Sequence, residues 1–121
     1  MKTYGLPNSI RLKSPSDFAR VYAVRQRAGD SHLLVFAAPN DLEWSRFGVS
    51  VSKKHGNAVR RARLKRLLRE AYRLSRPELP AGLDFILIPR QDSSAGLDDL
   101  RKSLVRLVKK LSRRLAGETP R

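Results

Sequence analysis

The sequence predicts an α/β (α+β) single-domain sandwich, a small mixed sheet packed against helices, on three observations. Short apolar runs of strand character alternate with longer segments in which leucines recur at helical spacing. Two of those runs are separated by a whole helix, which is the spacing of a βαβ crossover. The chain has 121 residues and is 40% hydrophobic, enough for one modest core. Residues 1–116 are read as the domain and 117–121 as a frayed tail.

In "LKSPSDFARVYAVRQ", Ser14 caps a short first helix, Pro15 takes its first position and Asp17 completes a weak capping-box pattern. Phe18, Val21 and Tyr22 fall at i, i+3 and i+4 and share a face, which is either buried or an aromatic binding surface. "HLLVFAAP", bounded by Gly29-Asp30 and Pro39-Asn40-Asp41, is a strand followed by a turn. "RFGVSVSK" alternates Phe47, Val49 and Val51 against Gly48, Ser50 and Ser52, and the two runs are expected to be neighbouring antiparallel strands. Gly56-Asn57 then breaks the strand and caps a long helix. From Ala58 to about Ser75, Leu64, Leu67, Leu68, Ala71 and Leu74 form one apolar stripe. "GLDFILIP" is a continuous apolar strand ended by Pro89. A last helix begins near Leu97, with Asp98 and Asp99 in its first turn and Lys109, Lys110, Arg113 and Arg114 toward its end, as the helix dipole prefers. Its Leu100, Leu104, Leu107, Val108 and Leu111 face the core. No internal repeat or linker interrupts the chain.

Charge is the outlier. Lys and Arg number 26 against 11 Asp and Glu, a formal net charge of +15, whereas solubility needs a magnitude of about 2 to 8. A polyanion is the expected partner, and nucleic acid comes first because its phosphates release counterions to Lys and Arg. The absence of cysteine excludes disulfides, thiolate metal sites and cysteine nucleophiles. "MKTYGLPNSI" has no apolar stretch leading to a cleavage site, and no later apolar run approaches ~18 residues. A soluble cytoplasmic protein with no membrane partner is expected.

On the central helix Arg61, Lys65, Arg69, Arg73 and Arg76 lie on one flank, with Arg63 and Arg66 toward the other edge. A solvated face gains from alternating Glu and Lys. Here Glu70 is the only carboxylate between Asn57 and Arg76, and like charges at i, i+4 repel, so the flank asks for an external anion. Arginine predominates, and its planar fork pairs with phosphate and stacks on bases. An anionic membrane or a calmodulin-like partner fits less well, because the apolar stripe is committed to the core. DNA ranks below RNA, since nothing resembles a helix-turn-helix or a zinc finger. The acids are scattered, and His32 at a strand edge and His55 in a basic turn are bystanders or phosphate contacts. No catalytic residue and no metal ligand are therefore expected in the protein.

"GVSVSKKHGNAVRRARLKRLLREAY" resembles the signature of the bacterial ribonuclease P protein subunit. "RLKSPSDFARVY" resembles the family's first helix, and "DFILIPR" its last strand. One departure is visible: the family's helix carries an Arg-Asn-Arg core, and here Ala62 stands between Arg61 and Arg63. The resemblance implies a left-handed βαβ crossover, against the usual rule. It also implies a subunit that joins a catalytic RNA removing the 5′ leader from precursor tRNA, with magnesium required by the RNA and no obligate protein partner. Arg61, Arg63, Lys65, Arg66, Arg69 and Arg73 would meet the catalytic RNA. Phe18, Tyr22 and Phe36, with Lys53 and Lys54 nearby, would form a leader cleft set away from the arginine helix; core packing of the three aromatics is the competing role. A ribosomal protein or RNA chaperone without a catalytic partner is the rival reading of the whole chain.

Overall fold

The computed structural model describes residues 8–117, so the tail beyond Gly117 lies outside the described residues. Its elements run α1 (Pro15–Val24), β1 (Gln26–Gly29), β2 (Leu33–Pro39), β3 (Arg46–Val49), α2 (Ala58–Ser75), β4 (Leu83–Pro89) and α3 (Leu97–Leu115), with a 3-10 turn at Lys53–His55 before α2 and another at Arg76–Glu78 after it. The helix starts follow the predicted chemistry. Ser14 Oγ accepts from the Asp17 N–H at 3.1 Å, and Asn57 Oδ1 accepts from the Arg60 N–H at 2.9 Å. Asp99 reaches back to the Gly96 N–H at 3.1 Å.

The sheet order is β1-β2-β4-β3. β2 pairs antiparallel with β1 and β4, while β3 pairs parallel with β4, as a βαβ crossover through α2 requires. This corrects the expectation that β2 and β3 are neighbours: β4 lies between them. Its run Leu83–Pro89 is apolar on both faces except at Asp84, and only a central strand covered on both sides buries such a run. β3, shorter than its alternating pattern suggested, takes the edge. β1 was not anticipated, because "QRAG" has no apolar alternation; it is held as a hairpin partner by Asp30, whose carboxylate accepts from the N–H groups of His32 at 2.8 Å and Leu33 at 2.9 Å.

Alternation along the strands sorts the core into two layers. Leu33, Val35, Ala37, Phe47, Phe85 and Leu87 join Leu68, Tyr72, Leu104 and Leu111 beneath α2 and α3. Ala38 and Ile86 join Leu12 and Val21 on the opposite face, with Phe18, Tyr22, Phe36 and Ile88 packed against them. On the first side Tyr72 stacks on Phe47, centroids 4.1 Å apart, and its hydroxyl bonds to Ser45. On the second, the fully buried Asp84 accepts from Arg46 Nε at 2.9 Å and Nη2 at 2.7 Å, from Asn40 Nδ2 at 2.9 Å, and from Arg20 of α1. Burial alone would push this carboxyl up; the hydrogen bonds from Arg46 and Asn40, with the Arg46 charge, hold it below the ordinary range. The carboxylate thus ties α1 to β3 and β4, and so fixes the face of α1 that carries Phe18 and Tyr22.

Candidate nucleic-acid interface

Phe18 projects from α1 onto the backbone of β3, where Gly48 offers no side chain. A Cβ at Gly48 would stand 2.4 Å from Phe18 Cζ. Beside the ring is a cavity of about 120 Å³, walled by Arg11, Leu12, Phe47, Val49, Lys65 and Arg69. Arg11 is brought there by its bridge to Phe47 and by the Leu12 N–H, which donates to the Phe47 carbonyl at 2.7 Å. Arg69 is half-buried, and burial lowers the pKa of its guanidinium, as does the neighbouring charge of Arg11. Two guanidiniums and an ammonium bordering one small concavity have the electrostatics of an anion seat.

This arrangement joins what sequence reasoning kept apart. The cavity at Phe18 adjoins the arginine helix, since Lys65 and Arg69 of that helix form one of its walls. Arg11 went unrecognised as a site residue; no periodicity marks it, and its sequence signal is its place at the head of "RLKSPSDFARVY". Tyr22 and Phe36 meet edge to face at 4.8 Å on the same side of the sheet, outside this cavity. All three aromatics are half-buried. Their inner edges close the core under α1, and their outer edges stay accessible, so core packing and surface presentation coexist.

The other expected residues divide. Lys53 and Lys54 are exposed on the 3-10 turn, whose start is capped by Ser52. His55 is neither a bystander nor a phosphate contact. It is 6% exposed, its Nδ1 accepts from the Ser52 N–H at 3.0 Å and its Nε2 donates to the Pro89 carbonyl at 2.7 Å. Both ring nitrogens are thereby consumed in pinning the Lys53-Lys54 turn to the end of β4. On α2, Arg61 Nε donates to the Gly56 carbonyl at 3.2 Å. Arg73 is engaged by Glu70, with Nε to Oε1 at 2.9 Å and a second bond from Nη2. Arg63 and Arg66 are exposed, as are Ala62 and Val59; among the described residues neither arginine has a carboxylate partner. No described cluster of three His, Asp or Glu side chains is placed to hold a metal ion.

A family model described as Ribonuclease P matches residues 6–112. The chain belongs to the ribonuclease P protein family. It is 37% identical to the ribonuclease P protein component of Desulfovibrio desulfuricans, over 98% of this chain and 95% of that one. With the component of Clostridioides difficile the identity is 41%, over 82% of this chain and 89% of that one. Among solved structures, the RNase P protein of Thermotoga maritima superposes with a TM-score of 0.75 at 30% identity, covering 83% of this chain and 96% of that one. A Staphylococcus aureus RNase P protein mutant described as defective in mRNA degradation activity superposes with a TM-score of 0.76 at 31% identity, over 86% and 89% of the two chains. The ribosomal-protein and RNA-chaperone reading is not favoured by these matches. No described helix is long and apolar enough to cross a membrane.

Proposed function

We propose that this chain, as the protein component of the endoribonuclease that processes tRNA 5′ ends, binds the catalytic RNA through the α2 flank and the precursor's leader through the Phe18 cleft. One observation carries the reading: Lys65 and Arg69 border the cavity of which Phe18, with Phe47, is an aromatic wall. A leader nucleotide seated on Phe18 would therefore place its phosphate against α2, next to the RNA that α2 holds. Stacking on an aromatic over a basic groove is how unpaired RNA is commonly taken.

Arg63 and Arg66 on the outer edge of α2 are the residues best placed to meet the catalytic RNA, and Lys65 and Arg69 stand at its junction with the leader. Arg61 and Arg73 already spend donors on Gly56 and Glu70, and meet RNA with those left over, the two Nη groups of Arg61 and Nη1 of Arg73. The magnesium belongs to the RNA subunit. The described carboxylates do not fit a metal site: Asp84 and Asp30 are saturated by arginine and N–H donors, and the others are dispersed.

Reconstitution tests this reading. The protein with the organism's catalytic RNA should remove the leader at magnesium concentrations too low for that RNA alone. The rigorously RNA-free chain should cleave neither precursor tRNA nor an mRNA substrate. Cleavage by the protein alone would overturn the assignment of the chemistry to the RNA.

A further inference from the structure

α3 carries a second basic ridge. At about 100° per residue Lys102, Arg106, Lys109 and Arg113 fall in one strip, opposite the buried Leu100, Leu104, Leu107 and Leu111. All four are exposed. The strip is about 16 Å long at a rise of roughly 1.5 Å per residue. Its consecutive members stand three or four residues apart, where like charges repel. Among the described residues only Arg106 has a carboxylate partner, Asp30 of the β1–β2 turn.

A groove of about 530 Å³ runs beside this ridge, between α3 and the end of α2 with its following 3-10 turn. Lys102, Arg106 and Lys109 form one side, and Ser75, Arg101 and the half-buried Val105 also line it. Ser75 is fully buried and its Oγ has no hydrogen-bond partner; the buried Nε of Arg101 has none either. Buried polar groups left unpaired are uncommon, and a ligand oxygen could satisfy them. Glu78 and Asp98 line the same groove without an ion-pair partner among the described residues. None of these residues borders the Phe18 cavity.

We propose that the α3 ridge and its groove form a second docking surface, for single-stranded RNA, distinct from the α2 flank and the Phe18 cleft. The exposed cations track a phosphate backbone. Arg101 and Ser75 supply spare donors, and Val105 an apolar patch for a sugar or base. Glu78 and Asp98 accept hydrogen bonds from base amino groups and ribose hydroxyls, which a purely anionic ligand lacks. An anionic bilayer is the poorer match, because an interfacial helix inserts an apolar face and that of α3 is buried in the core.

The test uses the full chain and a fluorescent single-stranded oligoadenylate unrelated to any leader. A Lys65→Gln/Arg69→Gln background weakens the cleft site, and its failure to reconstitute with catalytic RNA would bear only on that site. This background should still bind the oligonucleotide. Adding Lys102→Gln, Lys109→Gln and Arg113→Gln should lower the remaining affinity at least tenfold and flatten its log–log salt dependence by about two units. Unchanged affinity and slope would overturn the proposal. So would binding of phosphatidylglycerol vesicles, lost with the same three changes, where the oligonucleotide does not bind. Crosslinking of the unsubstituted chain to a thiouridine-bearing strand provides a readout independent of variant folding: peptides from α3 are expected, and their absence would overturn the inference.

Discussion

The Phe18 ring rests on Gly48. A methyl at Gly48 would stand 2.4 Å from Phe18 Cζ and 3.0 and 3.1 Å from the two Cε atoms, closer than carbon atoms pack. The glycine is required here for what it lacks, a Cβ, since β3 has ordinary strand pairing at this position. Gly48→Ala is expected to tilt the ring out of its seat, at an overpacking cost of about 1 to 3 kcal/mol. Measured side by side in reconstituted holoenzyme, affinity for precursor tRNA should fall while affinity for mature tRNA holds. Equal loss for both would place the effect in the fold.

Much of this was legible in the sequence, and the omissions share a cause. The bounds of α2 and the buried face of α3 follow from leucine spacing and cap residues, because both are local properties. Strand order is not local. The alternation of β3 reads equally well at an edge beside β4 as beside β2, and nothing near Arg46 announces that Asp84 will pair with it from a distant strand. The places of Arg11 and His55 escape the sequence for the same reason. Each acquires its role from a contact with another segment, Arg11 through β3 and α2, His55 through Pro89. The cationic flank of α2, in contrast, was visible from charge spacing alone.

Two carboxylates make acid stability predictable. Asp84 is held below its ordinary value as described above. For Asp30, burial pushes upward but is outweighed by hydrogen bonds from Ser103, from the His32 and Leu33 backbone and from Arg106, which bring it to about 2. A carboxyl depressed in the folded state stabilises the fold at pH above its unfolded value. That contribution is lost as pH falls through the folded value. Stability measured by urea unfolding should therefore be level near neutrality and decline from about pH 4 toward pH 2. Asp84→Asn leaves Arg46 without its buried partner and should cost about 3 to 5 kcal/mol at neutral pH. The remaining decline below about pH 4 should be shallower in that variant. An unchanged pH profile would show that Asp84 is not the titrating group.

Glu70 divides the arginines of α2 into engaged and available. The hydrogen bond from Arg73 holds the Glu70 carboxyl below its ordinary range. Lys65→Ala and Arg69→Ala should each reduce the slope of log affinity for catalytic RNA against log salt by up to about one unit. Arg73→Ala should reduce it less, because its charge is already opposed. Glu70→Gln should steepen the slope by releasing Arg73, with little change in melting temperature, as expected for an exposed ion pair. A slope that responds equally to Arg69→Ala and Arg73→Ala would show that the Arg73–Glu70 pair opens on RNA binding.

The aromatic side of α1 gives the sharpest test of leader binding. Phe18 borders the basic cavity, whereas Phe36 is turned toward Tyr22 at 4.8 Å and lies outside that cavity. Both are half-buried, so truncation to Ala would confound packing with recognition. Leu retains most of the apolar volume while removing the π face. If a leader base stacks on Phe18, Phe18→Leu should lose roughly 1 to 3 kcal/mol of affinity for precursor tRNA and leave mature tRNA, which has no leader, unaffected. Phe36→Leu should give a smaller selective loss and a larger fall in melting temperature, because its ring supports Tyr22 rather than facing Lys65 and Arg69. Precursor and mature tRNA affinities in reconstituted holoenzyme, with the melting temperature of each free variant, separate the two roles. A greater precursor-selective loss from Phe36→Leu than from Phe18→Leu would move the leader away from the Gly48 seat and onto the Tyr22–Phe36 surface.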